Sequence, residues 1–255
     1  MARARTVVGA LFAAVAAASG AGVAGRESPA RAGAGAGVER YVYRASPADA
    51  KSGSEETHRV TVTTDASGTT YEFRIEFDRG LVDRGFVRVS PLGEFESAVR
   101  HRLGRDGVRY ETDSLRVEGS LLVMDRWRDG KLKTSRARLP ADRPRAVDAS
   151  LLLWMRAFPF GDPAARDVFM ADWSHRTVDV DVRDRGVESV TVPAGTFACH
   201  RMEVTVKVFV FRPKITFWIT VDEPHFLVQH EGKRGPFTPV FHTRLVEREA
   251  SWSRP

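Results

Sequence analysis

Tyr71-Glu-Phe-Arg-Ile-Glu-Phe77 decides the fold. Successive side chains of an extended chain point to opposite faces, so Tyr71, Phe73, Ile75 and Phe77 share one side and Glu72, Arg74 and Glu76 the other. One face is buried and the other is wet. The same period of two recurs at Val60 and Val62, at Val178, Val180 and Val182, and at Val190 and Val192. It returns along Met202, Val204, Val206 and Val208 and along Ile215, Phe217, Ile219 and Val221. Turn-forming stretches separate these runs: Ala66-Ser67-Gly68, Asp106-Gly107, Asp129-Gly130, Arg185-Gly186, Pro193-Ala194-Gly195 and Asp222-Glu223-Pro224. Short strands joined by tight turns build an antiparallel meander, and no fixed-period repeat overlies it.

One stretch departs from this rhythm. In residues 147–158 the apolar positions Val147, Leu151, Trp154 and Phe158 fall at helical spacing, widened by Leu152 and Met155. Asp148 is the expected N-cap and Pro159 the stop. The expected fold is mainly β: a curled antiparallel sheet or open barrel-like meander packed against one apolar helix, with Trp154 and Met155 in its core.

The first 32 residues read differently. Arg3 and Arg5 precede an uncharged segment from Thr6 to Gly25 that is rich in alanine, and small residues recur at spacings compatible with cleavage. This is the pattern of a secretory signal peptide followed by a flexible leader, so residues 1–32 are expected to be removed and one β-rich domain to span 38–250. The mature form, periplasmic or extracellular, is not expected to span a membrane. The leader has no cysteine, so the lipid-modified N-terminus of bacterial lipoproteins is excluded.

The 255-residue chain is 42% hydrophobic, enough for a substantial core. Its net charge of +6 falls to +3 without the leader, which holds four arginines and one glutamate. Arginines alternate with acids, as in Asp106, Arg109, Glu111, Asp113, Arg116 and Glu118. No basic run carries interspersed aromatics, so nucleic acid is not an expected partner. The single cysteine, Cys199, excludes an internal disulfide and multi-cysteine metal sites.

Catalytic signatures are sparse. There is no Gly-x-Ser-x-Gly elbow, His-Glu-x-x-His helix or glycine-rich phosphate loop. Cys199 and His200 are neighbours in a strand, face opposite ways, and cannot share a proton. Asp179 and Asp181 read as the polar face of a strand. Asp222, Glu223, His225, His230 and His242 form the best titratable cluster, read chiefly as turn and surface residues. No catalytic residue, metal ligand or cofactor is therefore expected.

What stands out is aromatic bulk on the inward faces: Tyr71, Phe73, Phe77, Phe209, Phe211, Phe217 and Phe226, with Trp218 on the opposite face of its strand. These residues either close-pack or line a cavity for an apolar or lipid-like ligand. The ligand-binding candidates are Tyr71, Phe73, Phe77, Trp154, Phe217 and Trp218. The leading expectation is a non-enzymatic exported binding protein for such a ligand or for an envelope protein. The alternatives are a periplasmic hydrolase using Asp222, His225 or His230, and an interaction protein whose sheet edge receives another chain.

Three segments, VDASLLLWMR at 147–156, VPAGTFACHRMEV at 192–204 and FWITVDEPHFLVQHEG at 217–232, resemble in order and spacing an uncharacterised family of exported bacterial proteins, domain-of-unknown-function family 3108. The matching positions are Asp148, Ser150 and Arg156; Pro193, Gly195, Thr196 and Phe197; Trp218 and Asp222. The resemblance spans about residues 38–248, the first half only as alternating strands, and implies an envelope location and a β-rich body with a lone helix. It implies no activity.

Overall fold

A computed structural model describes residues 36–49, 55–162, 164–208, 212–233 and 238–252. The expected leader, Phe209 and Phe211 lie outside them. One sheet of fifteen strands dominates. In chain order these are β1 (Gly37–Pro47), β2 (Glu56–Asp65), β3 (Gly68–Phe77), β4 (Val82–Val89), β5 (Phe95–Leu103), β6 (Arg109–Glu118), β7 (Leu121–Arg128) and β8 (Lys131–Arg138). After β9 (Arg145–Val147) and the helix α1 (Asp148–Met155) come β10 (Arg166–Ala171), β11 (Thr177–Val192), β12 (Gly195–Lys207), β13 (Lys214–Thr220), β14 (Leu227–Lys233) and β15 (Val240–Trp252).

The spatial order starts at β8, runs back to β1, steps to β15 and descends to β9. The described chain thus begins mid-sheet, reaches one edge at β8, crosses to the opposite edge at β9, and works back to pair β15 with β1. A flat sheet of fifteen strands would be ~70 Å wide. The connection 139–144 joins its two edges, yet so short a link reaches only about 25 Å. The sheet therefore has to curl. It does so without closing: β8 pairs only with β7, β9 pairs in parallel with β10, and β9 packs near β5. Among the described residues this is the expected open, barrel-like meander with one helix.

The alternation in β3 sorts as anticipated. Phe73 is buried, Tyr71 and Ile75 pack on the core, and Phe77 is half-buried at its margin. In register, Phe73 lies between Val60 of β2 and Gly85 of β4. Gly85 has no room for a side chain: a Cβ there would sit 1.9 Å from the Val99 carbonyl oxygen and 2.9 Å from Arg100 Cα. Because backbone has to move to admit a methyl group, Gly85→Ala is expected to cost about 3 kcal/mol, measurable by urea denaturation.

Three local expectations are corrected. Arg185-Gly186 does not separate two strands: β11 runs through it with a bulge between Asp184 and Val187, and Gly186 takes φ 98°. The helix is shorter than 147–158, ending at Met155, after which the amides of Ala157 and Phe158 bond to the carbonyls of Trp154 and Met155 in a tightening turn. Its N-cap is Val147 rather than Asp148: the Val147 amide donates to Ser150 Oγ at 2.6 Å. Leu151, Leu153 and Met155 are all buried, so α1 is enclosed on more than the single predicted stripe.

Candidate functional site

The concave face is the candidate ligand-binding face, and it carries both the aromatic side chains and a set of buried charges. Tyr41 and Tyr43 of β1 stack with centroids 6.0 Å apart, Phe226 meets Tyr41 at 5.6 Å, and Tyr71 meets Phe73 at 6.4 Å. Burial raises the phenol of Tyr71 well above its usual range, so it stays protonated. Beside this face α1 packs against β4 and β9. Arg156, its C-cap, is 9% exposed; its Nη1 donates to Glu39 Oε2 at 2.5 Å, its Nη2 to Tyr41 Oη at 3.3 Å, and its guanidinium lies 6.0 Å from the Tyr41 ring centroid. Glu39 is fully buried, so this pair ties the helix to β1 out of reach of bulk solvent. Beside it is a pocket of only about 50 Å³, bordered by Thr64, Thr69, Val89, Leu153, Arg156 and Ala157. That volume holds a few waters and no acyl chain.

A second charged cluster fills the concave side of β4–β7. Asp113 Oδ2 accepts from Arg100 Nη2 at 2.6 Å and Nε at 3.2 Å, and Asp113 Oδ1 accepts from Arg126 Nε at 2.6 Å. Glu111 lies 3.0 Å from Arg102 and 3.4 Å from Arg128, while Asp83 lies 3.6 Å from Arg102 and 3.8 Å from Arg100. Burial pushes the Asp83 carboxyl up despite both arginines. Asp113 goes the other way: burial alone would raise it, but contacts with His175, Arg100 and Arg126 hold it well below the carboxylate range.

The turn 172–176 reaches this cluster from between β10 and β11. Asp172 shapes it by accepting from the amides of Ser174 at 2.8 Å and Arg176 at 3.0 Å, and His175 adopts φ 62°. The Trp173 carbonyl accepts from Arg100 and Arg126, its ring meets Phe73 at 6.1 Å, and the Arg100 guanidinium lies 4.9 Å from it. His175 Nε2 lies 3.2 Å from Asp113 Oδ1. The turn is thus a clasp joining the β9–β11 end of the sheet to β5–β7, across the gap that strand pairing leaves open.

Ser135 Oγ, His175 Nδ1 and Asp113 stand in the order of a nucleophile relay, but the contacts do not activate the hydroxyl. Ser135 Oγ is 3.5 Å from His175 and equally 3.5 Å from the Met124 carbonyl, too long for the proton-sharing bond a base requires. Asp113 is already engaged by two guanidiniums.

The six predicted ligand-binding residues do not form one site. Phe73 meets the clasp at Trp173, Tyr71 packs beside Phe73, and Phe77 lies farther along β3. Trp154 packs edge-on to Phe158 at 5.7 Å, and Phe217 stacks on His230 at 5.4 Å. Trp218 faces outward, as its parity requires, and its indole donates to Glu188 Oε1. Of the alternative hydrolytic residues, His225 Nδ1 lies 2.9 Å from the Thr220 carbonyl and its ring sits 4.9 Å from Phe160. The Asp222 carbonyl accepts from Thr220 Oγ1. Among the described residues no group of three or more His, Cys, Asp or Glu could hold a metal ion. Cys199 is fully buried, and burial pushes its thiol up to about 12, while the adjacent His200 points to Asp184 Oδ2 at 3.1 Å. Those neighbours do face apart.

Sequence reasoning missed the clustered charges. Arg100 shares the parity of buried Ala98, and Glu111 and Asp113 share that of buried Leu115. That parity was the available signal.

No protein-family model and no curated protein sequence matches the chain. Among solved structures, a β-barrel-like protein of domain-of-unknown-function family 1849 from Brucella abortus is similar at TM-score 0.56 and 13% identity, covering 85% of this chain and 98% of its own. A lipoprotein candidate from Parabacteroides distasonis aligns at TM-score 0.32 and 14% identity, over 85% of this chain and 96% of its own. An exported-protein candidate with a YmcC-like fold from Bacteroides fragilis aligns at 0.29 and 13%, over 89% of this chain and 97% of its own. The first likeness concerns the fold: this chain shares a barrel-like β architecture with a family that has no assigned activity. Among the described residues no helix is long and apolar enough to cross a membrane.

Proposed function

We propose that this chain is an exported, non-enzymatic protein of the cell envelope that binds a lipid-like ligand on its concave face, where α1 now lies. The observation that carries the reading is the helix itself. A short helix packs against β4 and β9 within a sheet whose edges are not hydrogen-bonded to each other, and its C-cap Arg156 forms a buried ion pair with Glu39 beside the Tyr41 ring. The present pocket is too small for an acyl chain, so a ligand enters by displacing α1. Arg156 would then be free to meet an acidic headgroup, while Tyr41, Tyr43, Tyr71 and Phe73 offer apolar surface to the chain. The signal-like leader supports export, and the three segments around Asp148, Pro193 and Trp218 support a place in the exported family 3108.

Palmitate is a suitable probe because it joins a carboxylate to an apolar chain. Titration of the mature protein is expected to show one saturable site, and Leu153→Phe, which fills the pocket under α1 and so raises the cost of displacing the helix, to weaken it at least tenfold. Equal binding by Leu153→Phe, or no binding by the native protein, would contradict the proposal.

A further inference from the structure

The convex face of β1–β5 carries a row of like charges that the fold does not need. In register, Arg59 of β2 lies directly opposite Arg74 of β3, Arg74 opposite Arg84 of β4, and Arg84 opposite His101 of β5. Adjacent strands are ~4.8 Å apart, and like charges directly opposite one another destabilise a sheet. Local acids compensate only in part. Glu76 accepts from Arg74 Nε at 2.8 Å and lies 4.0 Å from Arg59, and Arg40 reaches Glu249 at 3.4 Å. Among the described residues, no carboxylate lies within ion-pair range of Arg84.

These side chains border an open trough of about 670 Å³, in which Glu72 is the one carboxylate among the described residues. Phe86, 37% exposed, stands beside the arginines. The row continues from His101 through Thr112 to an exposed cross-strand pair, Trp127 and Leu132, which are 46% and 64% exposed. Burial, together with Arg109 and Arg84, lowers the proton affinity of His101, so the positive charge there comes from the guanidiniums.

We propose that this convex arginine row is a docking surface for the phosphate headgroups of an anionic lipid bilayer. Each guanidinium presents a planar fork of donors that fits phosphate oxygens, and successive strands repeat that fork along the row. A small soluble anion would account for the arginines alone. A bilayer surface also accounts for the exposed aromatic and aliphatic side chains on the same face, since such groups favour the headgroup boundary. The site is on the opposite side of the sheet from the concave face and stands independently of any ligand there.

The test is co-sedimentation of the mature protein with phosphatidylcholine vesicles, with and without phosphatidylglycerol. The native protein is expected to bind only the anionic vesicles. Arg59→Gln/Arg74→Gln/Arg84→Gln should weaken that binding about a hundredfold, whereas Arg105→Gln/Lys131→Gln/Lys133→Gln, with the same loss of charge in the turn before β6 and on the opposite face of β8, should weaken it far less. Circular dichroism verifies folding, and Arg84→Gln alone should still weaken binding several-fold if the triple variant unfolds. Equal losses in the two triple variants, or native binding to neutral vesicles, would overturn the proposal. So would displacement from anionic vesicles by inorganic phosphate at an ionic strength where chloride does not displace, which would identify a soluble-anion site instead.

Discussion

Replacing Arg156 with methionine is expected to lower the unfolding free energy by about 3–5 kcal/mol, because it strands the Glu39 carboxylate in a dry interior. Glu39 is fully buried, its Oε2 receives Arg156 at 2.5 Å, and its Oε1 has no hydrogen-bond partner to share the charge. The double variant Glu39→Gln/Arg156→Met removes both charges and should recover most of the loss, since a neutral pair of similar volume carries no stranded ion. Urea denaturation of the four proteins in this cycle gives the coupling directly. A loss below about 1 kcal/mol in Arg156→Met would show that Glu39 finds water or another donor, and that α1 is not anchored through this pair.

Asp113→Asn is the second large effect, again about 3–5 kcal/mol at neutral pH. The substitution keeps the shape but leaves buried Arg100, with Arg126 and His175 beside it, facing a neutral amide. A pH signature separates this from simple repacking. The folded Asp113 carboxyl is held below its unfolded value, so its contribution to stability is fully present above the unfolded pKa of about 4 and is lost as the pH falls towards the folded value. Native stability should therefore fall on acidification below about pH 5, and Asp113→Asn should show a shallower fall over the same range. Parallel slopes would mean that Asp113 is not the group through which the clasp responds to acid.

Both effects concern how an unclosed sheet is kept curled. Fifteen strands can form in sequence from local alternation and tight turns, yet nothing in strand pairing joins β8 to β9. The closure comes from side chains: the clasp at Trp173 and His175 on one side, and α1 with Arg156 on another.

The body of the fold was legible because period-two alternation is a direct consequence of strand geometry, and β3, β13 and the second half of β12 from Met202 display it. The turns at Asp106-Gly107 and Asp129-Gly130 were legible for a related reason: Asp129, Gly107 and Gly130 all take positive φ there. The candidate site was much less so. In β6 the acids Glu111 and Asp113 resemble surface residues until their parity with Leu115 is followed back along the strand, and their arginine partners lie on β5 and β7. The clasp had no sequence signature, because Trp173 and His175 acquire their roles only when the sheet curls and brings β10–β11 across to β5–β7. Alternation did separate Phe217 from Trp218, and the structure has Phe217 in the core and the Trp218 indole on Glu188.

The measurement that tests the central claim most directly is native mass spectrometry of the mature protein, residues 33–255, purified from an exported preparation, with solvent extraction of whatever accompanies it. The account predicts a bound lipid-like species that is released when the protein unfolds, and that is depleted in Leu153→Phe. A bare polypeptide mass, unchanged after incubation with palmitate, would contradict it and would leave the concave face as a packed core.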